Sequence, residues 1–180
     1  MPREQVGVLI IAGVALVAII AIIVVAWLAS RRQVRGYLVD LFGRRAQVVT
    51  ALDSVTALLD AMADGAEGDA LAFCEPESDE RQALSEIGAR MLEEAEELQG
   101  LRLPRRLWLV ADAVQHAASA LAVQLRGVGG CQGDEALRAL GELELTAVRE
   151  SLVTASVALD ELRTAYNLSD EAVPADGFYV

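Results

Sequence analysis

The sequence contains no lysine, one histidine and two cysteines among its 180 residues, and this scarcity limits the chemistry available to it. Structural zinc sites use four Cys or His ligands, and the chain has too few of them. The di-iron centres of helical bundles need a Glu-x-x-His motif on each of two helices, whereas His116 has Ala113 three residues before it. The sequence therefore predicts no bound metal.

The residues that could support catalysis or phosphate binding are also poorly arranged. Cys131 lies in a glycine-rich segment, GVGGCQG (127–133), whereas His116 falls on the outer face of a predicted helix, so a Cys–His nucleophile pair is not favoured. The same segment lacks the preceding strand and following Gly-Lys-Ser/Thr of a phosphate cradle. We therefore expect no enzyme activity, no catalytic residue and no cofactor.

The two cysteines, Cys74 and Cys131, show neither a metal-binding nor a redox spacing. One interpretation is a single disulfide between them, and the other is a reduced pair in the cytoplasm.

Aromatic residues are scarce, at 4% of the chain, and proline occurs only four times. No stretch alternates between polar and apolar residues as a half-buried strand does. Alanine and leucine dominate instead, and both favour helices. The composition therefore predicts an all-α fold.

The most prominent feature present is an uncharged apolar run of 24 residues that begins at Val6 and ends at Ala29. As a helix it would be about 36 Å long, and a bilayer core of ~30 Å needs ~20 apolar residues. A cleaved signal peptide is disfavoured because its apolar region spans only ~7–15 residues and because bulky Trp27 occupies the −3 position before Ala29. The run predicts one transmembrane helix.

Arginine is distributed unequally around this run. Arg3 alone precedes it, whereas five arginines follow it closely: Arg31, Arg32, Arg35, Arg44 and Arg45. Because positive flanks stay in the cytoplasm, the N-terminus should face out and the C-terminal domain should be cytoplasmic, on a single-pass protein of the cell membrane. The same five arginines are predicted to fix this topology and to contact lipid headgroups.

The rest of the chain is acidic. From residue 46 onwards there are nine arginines and 25 acidic residues, giving a net charge of −16. Such a domain would repel nucleic-acid phosphates, so nucleic acid is not expected as a partner. The acidic stretch around Glu93–Glu97 is interpreted mainly as a solvated helix face.

Apolar residues recur at helical spacing in four later segments, at about 34–63, 79–99, 104–126 and 134–168. The third follows a seven-residue repeat typical of coiled coils. Its inner positions are Leu107, Ala111, Val114, Ala118, Leu121 and Leu125. In the fourth segment the register shifts near Gly141, which indicates a stutter. One transmembrane helix followed by an antiparallel four-helix bundle is the predicted architecture.

These features divide the chain into five predicted parts. They are an extracytoplasmic stub at 1–5, the transmembrane helix at 6–29, a basic helical juxtamembrane segment at 30–45, the cytoplasmic bundle at 46–168 and a flexible tail at 169–180.

Two stretches resemble the LemA family of bacterial membrane proteins. The juxtamembrane pattern is matched by Leu38, Val39, Leu41 and Arg44, followed by Leu52 and Asp53; the late helix is matched by Leu145, Thr146, Ala147, Leu152 and the pair Tyr166-Asn167. The chain departs from the family at an earlier Tyr-Asn pair, where it has Leu159-Asp160. The resemblance implies a membrane-anchored helical bundle and no established reaction.

The sequence therefore favours a membrane-anchored scaffold or adaptor without catalytic activity. Its expected partners are the lipid bilayer and an unidentified cytoplasmic protein. Two alternatives stay open, namely a structural protein that self-associates into a homo-oligomer and a membrane sensor that signals to a partner along its first helix.

Overall fold

The structure, a computed structural model, describes residues 3–65, 73–75 and 78–168, with side chains from residue 18 onwards. The chain divides into two units, residues 1–37 and 38–180. The predicted tail at 169–180 and most of the loop between the first two bundle helices lie outside the described residues.

The described residues are helical and contain no strand, which confirms the all-α prediction. Five α-helices are described: α1, Arg3–Asp64; α2, Asp79–Gly100; α3, Trp108–Gly130; α4, Asp134–Gly141; and α5, Thr146–Tyr166. A short 3₁₀ turn, Arg105–Leu107, follows Pro104 and leads into α3. The part of α1 from Leu38 onwards belongs to the same unit as the other helices.

Within that unit, α1 and α2 run antiparallel. Arg44 near the start of this part of α1 contacts Glu97 near the end of α2. Further along α1, Ser54 lines a groove together with Ile87, which lies earlier in α2.

The helices α2 and α3 are also antiparallel. Leu98 near the end of α2 lines a groove with Ala111 at the start of α3. Gly88, about ten residues earlier in α2, lies against Leu125 late in α3.

The last long helix, α5, completes the bundle beside α1 and α3. Arg106, just before α3, donates a hydrogen bond of 3.3 Å to the hydroxyl of Tyr166 at the end of α5. Arg45 of α1 donates one of 2.9 Å to the hydroxyl of Ser156 in α5. The four long helices therefore form an up-down bundle in which α1 and α3 each have α2 and α5 as neighbours.

The apolar core has α3 at its centre. All six positions of the predicted seven-residue repeat are buried, from Leu107 to Leu125, and His116 on the opposite face is exposed as predicted. Alanines widen the buried face of α3, which allows α2 and α5 to approach closely on either side.

The prediction of one continuous helix over 134–168 is wrong. The chain forms α4, then a turn at residues 142–145, then α5. Gly141 has a low helix propensity, and the amide of Glu142 closes the end of α4 by bonding the carbonyls of Arg138 and Leu140. The break allows Ala136 and Leu140 to be buried despite their shifted register.

The helix α2 begins at Asp79, where the second predicted segment begins. Its N-cap is Ser78, whose hydroxyl accepts the amide of Arg81 at 3.3 Å. Asp79 then lies in the first turn, where a carboxylate favours the helix dipole.

Phe73 lies between the predicted helical segments 34–63 and 79–99, yet its side chain is fully buried. An aromatic side chain this large removes ~150–250 Å² from water when buried, which accounts for its position in the core.

No helix in the part of the chain with described side chains is both long enough and apolar enough to cross a membrane. Residues 6–17 of the predicted span, which begins at Val6 and ends at Ala29, lie outside that part.

The pair Tyr166-Asn167 ends α5. Tyr166 is buried, and Asn167 adopts a left-handed conformation with φ 50° and ψ 51°. The amides of Asn167 and Leu168 bond the carbonyls of Thr164 and Arg163, which is the hydrogen-bond pattern of a Schellman cap. The pair thus has a structural role at the end of the helix.

Gly88 offers a test of the α2–α3 packing. A Cβ atom at this position would lie 3.2 Å from the Cβ of Leu125, whereas one at Gly43 would meet nothing within 4 Å. Gly88→Val should lower the free energy of unfolding by about 1–3 kcal/mol through overpacking. The matched change Gly43→Val should alter it by less than about 1 kcal/mol. Urea unfolding followed by circular dichroism would show the difference, and equal effects would contradict the close approach.

Asn167 offers a test of the cap. Asn167→Val places a β-branched residue at positive φ and should cost about 1–2 kcal/mol of unfolding free energy. Asn167→Gly should be neutral or slightly stabilising because glycine adopts this conformation without a steric cost. If both variants lose stability equally in thermal unfolding, the asparagine side chain itself is required and the backbone explanation fails.

Candidate functional site

The candidate functional residues were predicted around the first helix. The unit of residues 1–37 contains the described part of the apolar run, residues 18–29. Every side chain there is exposed. Its exposed large apolar side chains are Ile19, Ile20, Ile22, Ile23, Val24, Val25, Trp27 and Leu28. Side chains of this type on all faces of a helix leave no polar face directed to water.

Trp27 and Arg31 interact at the end of this run. The guanidinium carbon of Arg31 lies 4.9 Å from the centroid of the Trp27 ring, which is a cation–π geometry. The two residues after it that were predicted to contact lipid, Arg32 and Arg35, are exposed. Contact of these arginines with lipid stays a prediction.

Arg44 lies at the centre of an ion-pair cluster in the bundle. Its Nε lies 3.0 Å from Oδ2 of Asp40, and its Nη1 lies 2.6 Å from Oε1 of Glu94 and 3.0 Å from Oε2 of Glu97. The side chains of Arg44 and Glu94 are only 16% and 13% exposed, so their pair is largely removed from water. One guanidinium therefore joins α1 to the acidic face of α2.

These carboxylate partners stabilise the protonated, positively charged form of Arg44. Burial lowers its pKa, but the hydrogen bonds to Asp40, Glu94 and Glu97 raise it more, so the pKa lies above the ordinary value for arginine. A base with a raised pKa stabilises the fold below its unfolded pKa, and deprotonation of the base removes this contribution only in strong alkali. At the acidic end, the contribution lasts as long as the carboxylate partners stay ionised. Arg44 is thus a permanent cation in the folded protein.

Arg45 lies inside the bundle. It is 8% exposed, and burial lowers its pKa although the carboxylate of Asp160 opposes this effect. Its Nε donates to the hydroxyl of Ser156, which in turn donates to the carbonyl of Leu152 at 2.7 Å. Arg44 and Arg45 thus both have partners inside the unit of residues 38–180.

A groove of about 490 Å³ lies between α1 and α2 beside the Arg44 cluster. Its walls include Gln47, Thr50 and Ser54 from α1, and Arg90 and Glu93 from α2. The hydroxyls of Thr50 and Ser54 bond carbonyls of their own helix. The groove therefore combines polar and charged side chains of both signs with apolar ones from Ala51, Ile87 and Met91.

The side chains that could bind a metal or act as nucleophiles do not support a site in the part of the chain that the structure describes. Among the described residues, no group of three or more His, Cys, Asp or Glu side chains could hold a metal ion. Cys74 and Cys131 are both thiols, and Cys131 donates to the carbonyl of Gly127 at 3.3 Å. His116 is exposed on α3.

Sequence reasoning missed the partners of Arg44. Glu94 and Glu97 were interpreted as part of a solvated acidic face, although Glu94 is largely buried against Arg44. One feature of the sequence pointed to a buried arginine. Arg45 occupies a position in the apolar repeat formed by Leu38, Leu41, Val48 and Leu52, so its neighbour Arg44 lies at the edge of the buried face. The exposed Trp108 and Leu109 at the start of α3 were also missed.

Comparison with known proteins adds no relative to this description. The chain matches no family model, no curated protein and no solved structure.

The Arg44 cluster gives a stability prediction. Arg44→Gln should lower the free energy of unfolding by about 1–3 kcal/mol, because three carboxylates lose their cation in a partly buried site. The matched control, Glu97→Gln, removes a carboxylate that is 55% exposed and should cost less than about 1 kcal/mol.

The loss caused by Arg44→Gln should also shrink on acidification, since protonation removes the repulsion between the carboxylates. Denaturant unfolding of the two variants at neutral and acidic pH would measure both effects. A pH-independent loss would show that the guanidinium acts by packing rather than by charge.

Proposed function

We propose that this protein is a single-pass membrane protein whose helical bundle lies in the cytoplasm and acts as a scaffold or adaptor without catalytic activity. The observation that carries the proposal is the apolar run from Val6 to Ala29. Its described part is exposed at every position from 18 to 29, and so many exposed apolar side chains would be unfavourable in water.

Two features at the end of the run support a membrane boundary there. Tryptophan is enriched at membrane interfaces because its ring is apolar and its indole N–H is polar. Trp27 is followed by Arg31, which stacks on it. The excess of arginine after the run supports a cytoplasmic bundle.

The scaffold role is supported by the surface of the bundle. Several large apolar side chains are exposed on α3 and α5, including Leu109, Val123, Val153 and Val157. They occupy two outer helix faces between polar positions, a pattern compatible with a protein partner.

A helix-coupled sensor is the alternative that one observation favours. The helix α1 runs without a break from Arg3 to Asp64 and includes the segment between the apolar run and the bundle. Through a continuous helix, a conformational change at the membrane could alter the conformation of the bundle. A partner protein would then be needed to convert that change into a catalytic response.

The LemA resemblance is likewise a proposal. It is supported by the juxtamembrane residues Leu38 to Arg44 and by Tyr166-Asn167. The second of these elements, however, also serves as an ordinary helix cap.

The native cysteines allow a direct test of the topology. Both lie after the run, so a membrane-impermeant maleimide should label them only after the cells are permeabilised. In a Cys74→Ser/Cys131→Ser background, Glu4→Cys should be labelled in intact cells. Labelling of the native cysteines in intact cells would contradict the proposed orientation.

The scaffold role needs a second measurement. Affinity purification from detergent should return the chain with a reproducible stoichiometric partner. Repeated recovery of the chain alone as a monomer would contradict the scaffold, and recovery of a homo-oligomer would favour the self-associating alternative.

A further inference from the structure

The connection between α2 and α3 presents an unusual surface. We define the α2–α3 surface as Arg102, Arg105, Arg106, Trp108 and Leu109. All five residues are exposed, with Trp108 at 59% and Leu109 at 62%. A large aromatic and a large aliphatic side chain are thus exposed next to three cations, a combination typical of surfaces that meet a bilayer interface.

The charge of this surface opposes that of the rest of the bundle. Residues 98–111 contain three arginines and no acidic residue, whereas the chain from residue 46 carries 25 acids and only nine arginines. The first acidic residue after this stretch is Asp112, on the wall of the adjacent groove. Three of the nine arginines therefore lie together in the connection between α2 and α3.

This end is where α1 enters the bundle. Leu38 precedes Arg44 by six residues, and Gly100 follows Glu94 by six, which is about 9 Å of helix in each case. Since Arg44 and Glu94 are in contact and the helices are antiparallel, Leu38 and the α2–α3 connection lie at the same end.

The proposed membrane run ends only nine residues before Leu38. Even a fully extended chain of that length spans no more than about 32 Å. The bilayer surface is therefore within reach of this end of the bundle.

Trp108 is held in place by a hydrogen bond. Its Nε1 donates to the carbonyl of Leu103 at 2.9 Å, so its polar group stays satisfied when the ring leaves water. The ring and Leu109 border an open groove of about 570 Å³ that also includes Leu101 and Leu103. The α2–α3 surface therefore has apolar side chains in this groove next to its three arginines.

We propose that the α2–α3 surface docks on the anionic surface of the bilayer, with arginines on lipid phosphates and Trp108 at the headgroup level. This proposal rests on the membrane anchor proposed above. Acidic residues farther away than a Debye length of ~8 Å oppose docking only weakly, because their charges are largely screened at physiological salt. Of the nearer carboxylates, Glu97 is paired with Arg44, and Asp112 on the groove wall opposes docking. The arginines at the docked end act at contact distance.

The two tryptophans allow docking and anchoring to be measured separately. Trp27→Phe leaves Trp108 as the only tryptophan, and Trp108→Phe leaves Trp27. Each full-length protein is reconstituted into two kinds of phosphatidylcholine vesicle, one with and one without phosphatidylglycerol. Both kinds of vesicle contain a lipid with a nitroxide quencher on its headgroup. Quenching of tryptophan fluorescence then reports which indole lies at the interface.

We expect Trp27 to be quenched in both vesicles and Trp108 only in those with phosphatidylglycerol. Arg102→Gln/Arg105→Gln should reduce the ratio of docked to undocked protein about fivefold per arginine. Arg106 is kept because it bonds Tyr166. The matched control Arg126→Gln/Arg149→Gln removes the same charge at the opposite end and should leave quenching unchanged. Circular dichroism would verify that both variants are folded.

The other outcomes overturn the proposal in distinguishable ways. If Trp27 is quenched and Trp108 is not, the anchor stands and the docking surface is wrong. Equal quenching of Trp108 in both vesicles, or in both double variants, would exclude recognition of anionic lipid. Protection of Trp108 from aqueous acrylamide only at high protein density would identify a second copy as the occupant. If neither indole is quenched, the membrane anchor itself fails.

Discussion

The bundle depends on the burial of one wide apolar face of α3. This helix contacts both α2 and α5, and the leucines and valines on its inner face, such as Val114, Leu121 and Leu125, are almost fully removed from water. Small residues on both sides of the contact, such as Gly88 in α2 and Ala122 in α3, allow the neighbouring backbones to approach closely. A single buried helix of this kind fixes the positions of its neighbours, so the places where α1 and the α2–α3 connection reach the surface follow from it.

Charge determines how α1 joins this core. Arg44 sits between its own helix and two glutamates of α2, while Arg45 enters the bundle to reach Ser156. The sequence alone placed both arginines in the basic juxtamembrane segment together with Arg31. In the structure, residues 30–37 of this segment belong to the first unit, whereas residues 38–45 belong to the same unit as the bundle.

The predictable part of the fold was the periodic part. The repeat from Leu107 to Leu125 identified the core face of α3 because a helix brings every third or fourth residue to one side. Pairings such as Arg44 with Glu94, fifty residues apart, depend on how helices are arranged and leave no periodic signal. The break after Gly141 was detected as a stutter, since a shifted register and a true interruption give the same pattern in sequence. The surface at Trp108 was missed because its position follows from tertiary packing.

The run ending at Ala29 is proposed to hold the protein in a bilayer. Flotation of membranes after washing with alkaline carbonate tests this most directly, because the wash removes peripheral proteins and leaves those that span the lipid. If the run spans the bilayer, the full-length chain should float with the lipid, and Ile19→Arg/Ile23→Arg should release it. Recovery of the unaltered chain in the aqueous fraction would show that the run does not span the bilayer.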